Sequence, residues 1–205
     1  MKCLISLDQL KPNNASVVGS KAYNCARLKQ AGFPVPDGFA VTTAAMGDAG
    51  IADELDVALA QFPSDVLFAV RSSAVDEDGA DHSFAGLHTT KLNVPRTGVL
   101  DTIHRCWASV QSPQALAYRQ AQGLATQNIQ TGVLVQLMVQ PTVAGVAFTI
   151  NPVTGARDEL LINATWGLGE SLVSGRVEPD EFRLQKHDGT LLTTQIGAKR
   201  QRVVA

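Results

Sequence analysis

Five apolar residues in a row, Val66 to Val70, run directly into Arg71-Ser72-Ser73. A half-exposed strand alternates polar and apolar, so an unbroken run of this length after Pro63-Ser64-Asp65 predicts a strand buried on both faces. Such a strand needs a layer of structure on either side of it. The apolar mass to build those layers is present, because hydrophobic residues make up 45% of the 205 and charged residues only 18%. That balance excludes a disordered tail, a collagen-like chain and a disulfide scaffold. At about 150 residues per domain the length allows one large domain or two small ones. The strand also delivers a guanidinium fork and two hydroxyls at its end, a set that suits phosphate oxygens. An ion pair between Arg71 and Asp76 or Asp78 of the next segment is an equal reading of the same residues.

Charge narrows the partners. Lys and Arg number 17 against 19 Asp and Glu, a formal charge of −2. This leaves no electrostatic footprint for nucleic acid and no basic cluster for an anionic membrane. No stretch approaches the roughly 18 apolar residues of a membrane span. Cys3, Cys25 and Cys106 are an odd count without close spacing, which fits reduced thiols in the cytoplasm.

The periodicity predicts helices over Val17 to Gln30, Ile51 to Phe62 and Val99 to Val110, with a further one opened by Ser112-Pro113 and closed by Gly123. A short strand is expected at Phe39 to Thr42. Strands dominate from Gly132 onward: Val133 to Val139, Gly145 to Ile150, Glu159 to Ala164, Glu181 to Gln185 and Thr190 to Ile196. Residues 74 to 90 show no period and read as a long loop. The fold class is α+β. A helical lobe over residues 1–65 and a strand-rich lobe over 66–205 form parts of one domain.

Three other constellations could carry chemistry. Gly19-Ser20-Lys21 opens a helix, where backbone N–H groups and the dipole favour anions and a lysine adds a point charge. It is not a Walker A loop, since Asn14 stands where the first glycine would be. Asp76, Glu77 and Asp78 with Asp81, His82 and His88 offer metal donors, but match no EF-hand or zinc spacing and read better as a solvated loop. Trp166-Gly167-Leu168-Gly169-Glu170 resembles half of a dinucleotide loop, but Leu172 occupies the third glycine position. Its glycines then serve close backbone packing.

The order of these blocks carries a resemblance. Gly19 to Asn24 and Ala31 to Thr43 look like the opening of the ATP-binding domain of phosphoenolpyruvate synthase, pyruvate phosphate dikinase and rifampin phosphotransferase. Val70-Arg71-Ser72-Ser73-Ala74 with Glu77-Asp78 and Ser83-Phe84-Ala85-Gly86 is similar to the same family. Arg105 to Ser109, Val135 to Val139, Ala144 to Thr149, Asn151 to Gly155, Trp166 to Glu170, Val173 to Arg176 and Pro179-Asp180 continue it in order across nearly the whole chain.

The resemblance implies an ATP-grasp-like, two-lobed domain that holds ATP between its lobes. Carried over by position, Lys21 and Arg71 would hold the phosphates and serve catalysis. Gly86 and Thr90 would lie near the nucleotide. Gln136 to Val139 would be the strand meeting adenine, with Gln136 and Met138 facing the ring and Val139 at its end. The family splits ATP to AMP and phosphate and passes a phosphoryl group to an acceptor through a swivelling histidine domain, which this sequence does not contain. The resemblance places the carboxylate for Mg²⁺ beyond Ala205, so the Mg²⁺ ligands are expected outside this chain. A separate chain carrying the missing carboxy-terminal, histidine and acceptor parts is an expected partner. Leu87 and Thr89 depart from the family's polar pattern, and the segment between Thr43 and Val66 is short for the family. A non-catalytic nucleotide-binding or interaction module is the alternative those departures favour.

Overall fold

The computed structural model describes residues 2–75 and 89–204, and they form two compact units, Met1–Met138 and Val139–Ala205. The first is built on a five-stranded antiparallel sheet in the order β1-β2-β5-β3-β4, comprising β1 (Leu4–Ser6), β2 (Gly38–Val41), β3 (Leu67–Ala74), β4 (Thr90–Pro95) and β5 (Thr131–Leu137). Among the described residues it is completed by the α-helices α1 (Ala15–Gln30), α2 (Ile51–Leu59), α3 (Val99–Ser109) and α4 (Pro113–Ala121).

Residue alternation along the strands explains the two cores. Phe39, Val41, Phe68, Val70, Val133 and Val135 point to one face, where Ile51, Leu55 and Leu59 of α2 and Val99, Ile103 and Cys106 of α3 close over them. Ala40 and Leu134 point to the other, against Val18, Ala22 and Ala26 of α1. The small side chains on that second face let α1 pack close to the sheet. Of the apolar run at residues 66–70, Phe68 and Val70 are fully buried on the α2–α3 side, whereas Val66, Leu67 and Ala69 are only half-buried, so the expected burial on both faces is met on one.

Two expectations shift. Arg71-Ser72-Ser73 lies inside β3 rather than beyond it, because β5 pairs with β3 from Phe68 as far as Ala74. A boundary at residue 65 also cuts through one sheet, since β1 and β2 precede it while β3 and β5 follow. The compact units divide at Met138 instead. Short strands such as β1 carry too few residues to show a period, and β4 begins where the loop reading ended.

Lys29 fastens α1 to the chain on either side of it. Its ammonium, 16% exposed, lies 2.5 Å from Asp8 and 2.8 Å from Asp37. The hydrogen bonds to Asp37 and Asp8 hold its pKa above the ordinary lysine value. A raised folded-state pKa gives stability that is complete below the unfolded value and lost as pH rises through the folded one. Lys29→Met is thus expected to cost about 1 kcal/mol at neutral pH. The gap should close above the ordinary lysine range. Urea unfolding of both proteins across that range checks it, and a gap constant with pH would contradict the ion-pair account.

The second unit is a four-stranded antiparallel sheet, β6 (Val143–Phe148), β7 (Glu159–Trp166), β8 (Asp180–Gln185) and β9 (Leu191–Gln195) in sequential order, with a short helix α5 (Glu170–Val173). Asn151 shapes the β6–β7 connection: its Oδ1 accepts from the amides of Val153 and Thr154, and its Nδ2 donates to Glu159. Arg183 pairs with Glu159 at 2.6 Å, and this pairing pulls the Glu159 carboxyl below its ordinary pKa. At Gly167, φ is +75°, and a Cβ there would sit 2.1 Å from the Val203 carbonyl oxygen. That glycine serves the close approach of residues 166–168 to the chain near Val203, where the Leu168 amide donates to Val203 at 2.8 Å.

Candidate functional site

The end of β3 and the start of α1 are fitted to each other. Helix α1 is broken at Gly19, whose φ of +78° and ψ of +163° are non-helical. Residues 20–30 thus form a helix with its own amino-terminal turn. A glycine at the cap position has no side chain to accept from that turn. Ser73 supplies the acceptor instead: its Oγ, fully buried, receives the Ala22 amide at 3.0 Å. The fit is tight enough that a Cβ on Gly19 would lie 2.0 Å from the Ser73 carbonyl oxygen. Gly132, next to Ser73 on β5, gives a similar clearance to the Val18 carbonyl.

Each residue of Arg71-Ser72-Ser73 takes a different part. The Ser72 carbonyl accepts from the Lys21 ammonium at 3.1 Å. Ser72 Oγ and its amide both donate to the Thr89 carbonyl, at 3.3 and 3.0 Å. Arg71 is half-buried, and its Nε is shielded from solvent with no hydrogen-bond partner among the described residues. The Ser20 hydroxyl is likewise buried and without a partner there.

Burial raises the pKa of Cys25, one helical turn beyond Lys21, and the charges of Arg71 and Lys21 oppose that rise. Burial pushes Cys106 of α3 up to about 11, with Lys21 again opposing. Through its bond to the Ser72 carbonyl, the Lys21 ammonium lies one residue along β3 from Arg71, though the two cations are 50 residues apart in the chain. Thr90 joins them, since it stands directly across from Arg71 in the β3–β4 ladder and is exposed.

Gln136 shares the sheet face of Arg71. Arg71 lies opposite Leu134 and Ala69 opposite Gln136, so the two side chains are diagonal neighbours on the α1 side. Gln136 is buried, and its amide donates to the Pro36 carbonyl at 3.2 Å. Met138, half-buried, follows the end of β5, with its amide held by the Leu67 carbonyl. Val139 is exposed and begins the second unit. Gly86, Leu87, the Asp76-Glu77-Asp78 run, Asp81, His82 and His88 lie outside the described residues. Among those described, no three His, Cys, Asp or Glu side chains come together to hold a metal ion. His104 stacks on Trp107, and His187 is exposed beside Asp188.

The helical turn that follows Gly19, the Lys21 ammonium and a guanidinium nitrogen without a partner among the described residues make an arrangement suited to anionic oxygens, whereas the Ser72 and Ser73 hydroxyls are already engaged with Thr89 and Ala22. Sequence reading offered the Ser73 hydroxyl to phosphate, but it accepts instead from the Ala22 amide, a partner 51 residues away that no local pattern reveals.

The family is established by comparison. Residues 48–205 match the family described as pyruvate phosphate dikinase, AMP/ATP-binding domain, and the chain belongs to it. It is 35% identical to a probable phosphoenolpyruvate synthase of Methanothermobacter thermautotrophicus, over 97% of this chain and 36% of that protein. It is 41% identical to a rifampicin phosphotransferase of a Streptomyces species over 86% of the chain and 19% of the relative. With the phosphoenolpyruvate synthase of Pyrococcus furiosus it shares 47% identity over 60% of the chain and 15% of the relative. The chain thus spans about a third or less of the length of these relatives. The Methanothermobacter match runs over 248 aligned positions against 205 residues here, so that relative carries segments this chain lacks.

Proposed function

We propose that this chain is the ATP-binding part of a phosphotransferase of the phosphoenolpyruvate synthase type, with an ATP-grasp-like domain. In this reading Lys21 and Arg71 hold the triphosphate, the turn at Ser20 to Ala22 adds backbone amides, and Thr90 borders the same site. Gln136 and Met138 meet the base, as flat apolar walls with a few polar partners would. The Mg²⁺ ligands, the histidine carrier and the acceptor site belong to polypeptide outside this chain, in one longer protein or a separate partner. The observation that carries the reading is the Arg71 Nε, buried and without a partner among the described residues, one residue along β3 from the carbonyl that the Lys21 ammonium reaches. A buried donor left unpaired costs about 1–3 kcal/mol, and an incoming phosphate oxygen removes that cost. Family membership supports the nucleotide as the ligand.

Isothermal titration calorimetry with ATP and with adenosine tests it. ATP is expected to bind at least about tenfold more tightly than adenosine, the equivalent of about 1.4 kcal/mol from the phosphates. Equal affinities, or no heat with ATP, would defeat the phosphate assignment.

A further inference from the structure

We infer that Ser73 is a positioning residue for the phosphate site: its buried hydroxyl caps the helix that begins after Gly19 and so fixes where Lys21 and the first-turn amides stand relative to Arg71. The inference rests on the phosphate reading above and deepens it. Four observations carry it. The helix restarts after a glycine that has no capping side chain. The third amide of the new helix, that of Ala22, donates to Ser73 Oγ at 3.0 Å, and the bond is buried. The Ser73 carbonyl is packed against Gly19 so closely that no Cβ could enter. Ser73 follows Arg71 by two residues on β3, so the strand that carries the guanidinium also carries the cap.

The chemistry makes this more than a packing contact. A serine on the neighbouring strand takes the place of the usual N-cap side chain, so the helix start cannot drift from β3 without breaking a buried hydrogen bond. Lys21 is the residue just before the capped amide, and its ammonium reaches the Ser72 carbonyl on the same strand. Strand and helix therefore present their cations as one rigid pair. A preorganised pair binds a polyanion without first ordering two independent side chains. Ser73 itself touches neither the proposed phosphates nor the base.

The test separates positioning from folding. Affinities for ATP and for adenosine are measured by calorimetry for the wild-type chain, Ser73→Ala, Ser73→Thr and Arg71→Ala. A purely structural loss lowers both affinities together. Positioning predicts that Ser73→Ala weakens ATP about tenfold, leaves adenosine unchanged and lowers the melting temperature. Ser73→Thr keeps the hydroxyl and should restore the ATP-to-adenosine ratio. Where alanine prevents folding, Ser73→Cys, which keeps the volume and weakens the acceptor, should shift the same ratio in the same direction. An unchanged ratio in Ser73→Ala, while Arg71→Ala does lower it, overturns the positioning role alone. An unchanged ratio in Arg71→Ala as well overturns the phosphate reading and this inference with it.

Discussion

Gly19→Ala is expected to lower the stability of the protein by about 2–6 kcal/mol, as the sum of two separate costs. The first is conformational. A φ of +78° with a ψ of +163° lies in a region that is open essentially to glycine alone, and any other residue placed there costs about 1–3 kcal/mol. The second is steric. A Cβ would sit 2.0 Å from the Ser73 carbonyl oxygen and 2.4 Å from its carbon, both backbone atoms of a strand paired on its other side. Neither can swing away as a side-chain tip could, so α1 must shift, and overpacking of this kind costs about 1–3 kcal/mol more. Gly32→Ala isolates the first cost. Gly32 has a φ of +86° and nothing within 4 Å of its would-be Cβ, so its replacement should lose only about 1–2 kcal/mol. Urea denaturation of both variants checks the difference. A Gly19→Ala loss no larger than that of Gly32→Ala would mean that the contact between α1 and β3 yields freely, and would remove the basis for a rigid phosphate site.

The sequence showed the elements whose signal is local and hid the contacts that are not. The pentad at Val66 to Val70 announced β3 as an unbroken apolar run, although only Phe68 and Val70 are fully buried and Val66, Leu67 and Ala69 are half-buried. The strand's true end was invisible, since Arg71, Ser72 and Ser73 are extended through pairing with Gly132 to Leu134 on β5, more than 55 residues on. Ser112-Pro113 was legible as a helix start because the cap is made within the same turn, Ser112 Oγ receiving the Ala115 amide. The cap on Ala22 was not legible, because it comes from Ser73. Gly19-Ser20 read as an entrance to a helix, yet α1 already runs from Ala15 and breaks at Gly19 before resuming. A glycine flanked by helix formers does not by itself say which side of it is helical. Lys21 and Arg71 could be named in advance from motif order. The reach of Lys21 to the Ser72 carbonyl, next to Arg71, is a product of the α1–β3 packing that small residues such as Ala22 and Gly132 permit. For Gln136, alternation along β5 gave the strand, whereas its bond to the Pro36 carbonyl depends on a turn 100 residues earlier.

Replacing both cations should nearly abolish ATP binding. Lys21→Met and Arg71→Met each keep an apolar stem while removing a charge-assisted contact of about 1.5–3 kcal/mol. The double variant should lose about 3–5 kcal/mol, short of full additivity because the two groups serve one ligand and share a field. At about 1.4 kcal/mol per factor of ten, this is a weakening of roughly a hundred-fold to a few thousand-fold. Salt dependence supplies an independent readout. In the wild-type chain the affinity for ATP should fall as ionic strength rises, because half-buried cations are screened less than exposed ones but still feel the solvent. The double variant should show a much flatter dependence, since the charges that salt would screen are gone. Adenosine carries no phosphate, so its affinity should be unchanged in all the variants, which shows that the base site and the fold survive. Calorimetric titrations at low and moderate salt measure all of this. ATP affinity within about threefold of wild type in the double variant, a change worth only about 0.6 kcal/mol, would mean that the triphosphate is held elsewhere, whatever the geometry around Ser72.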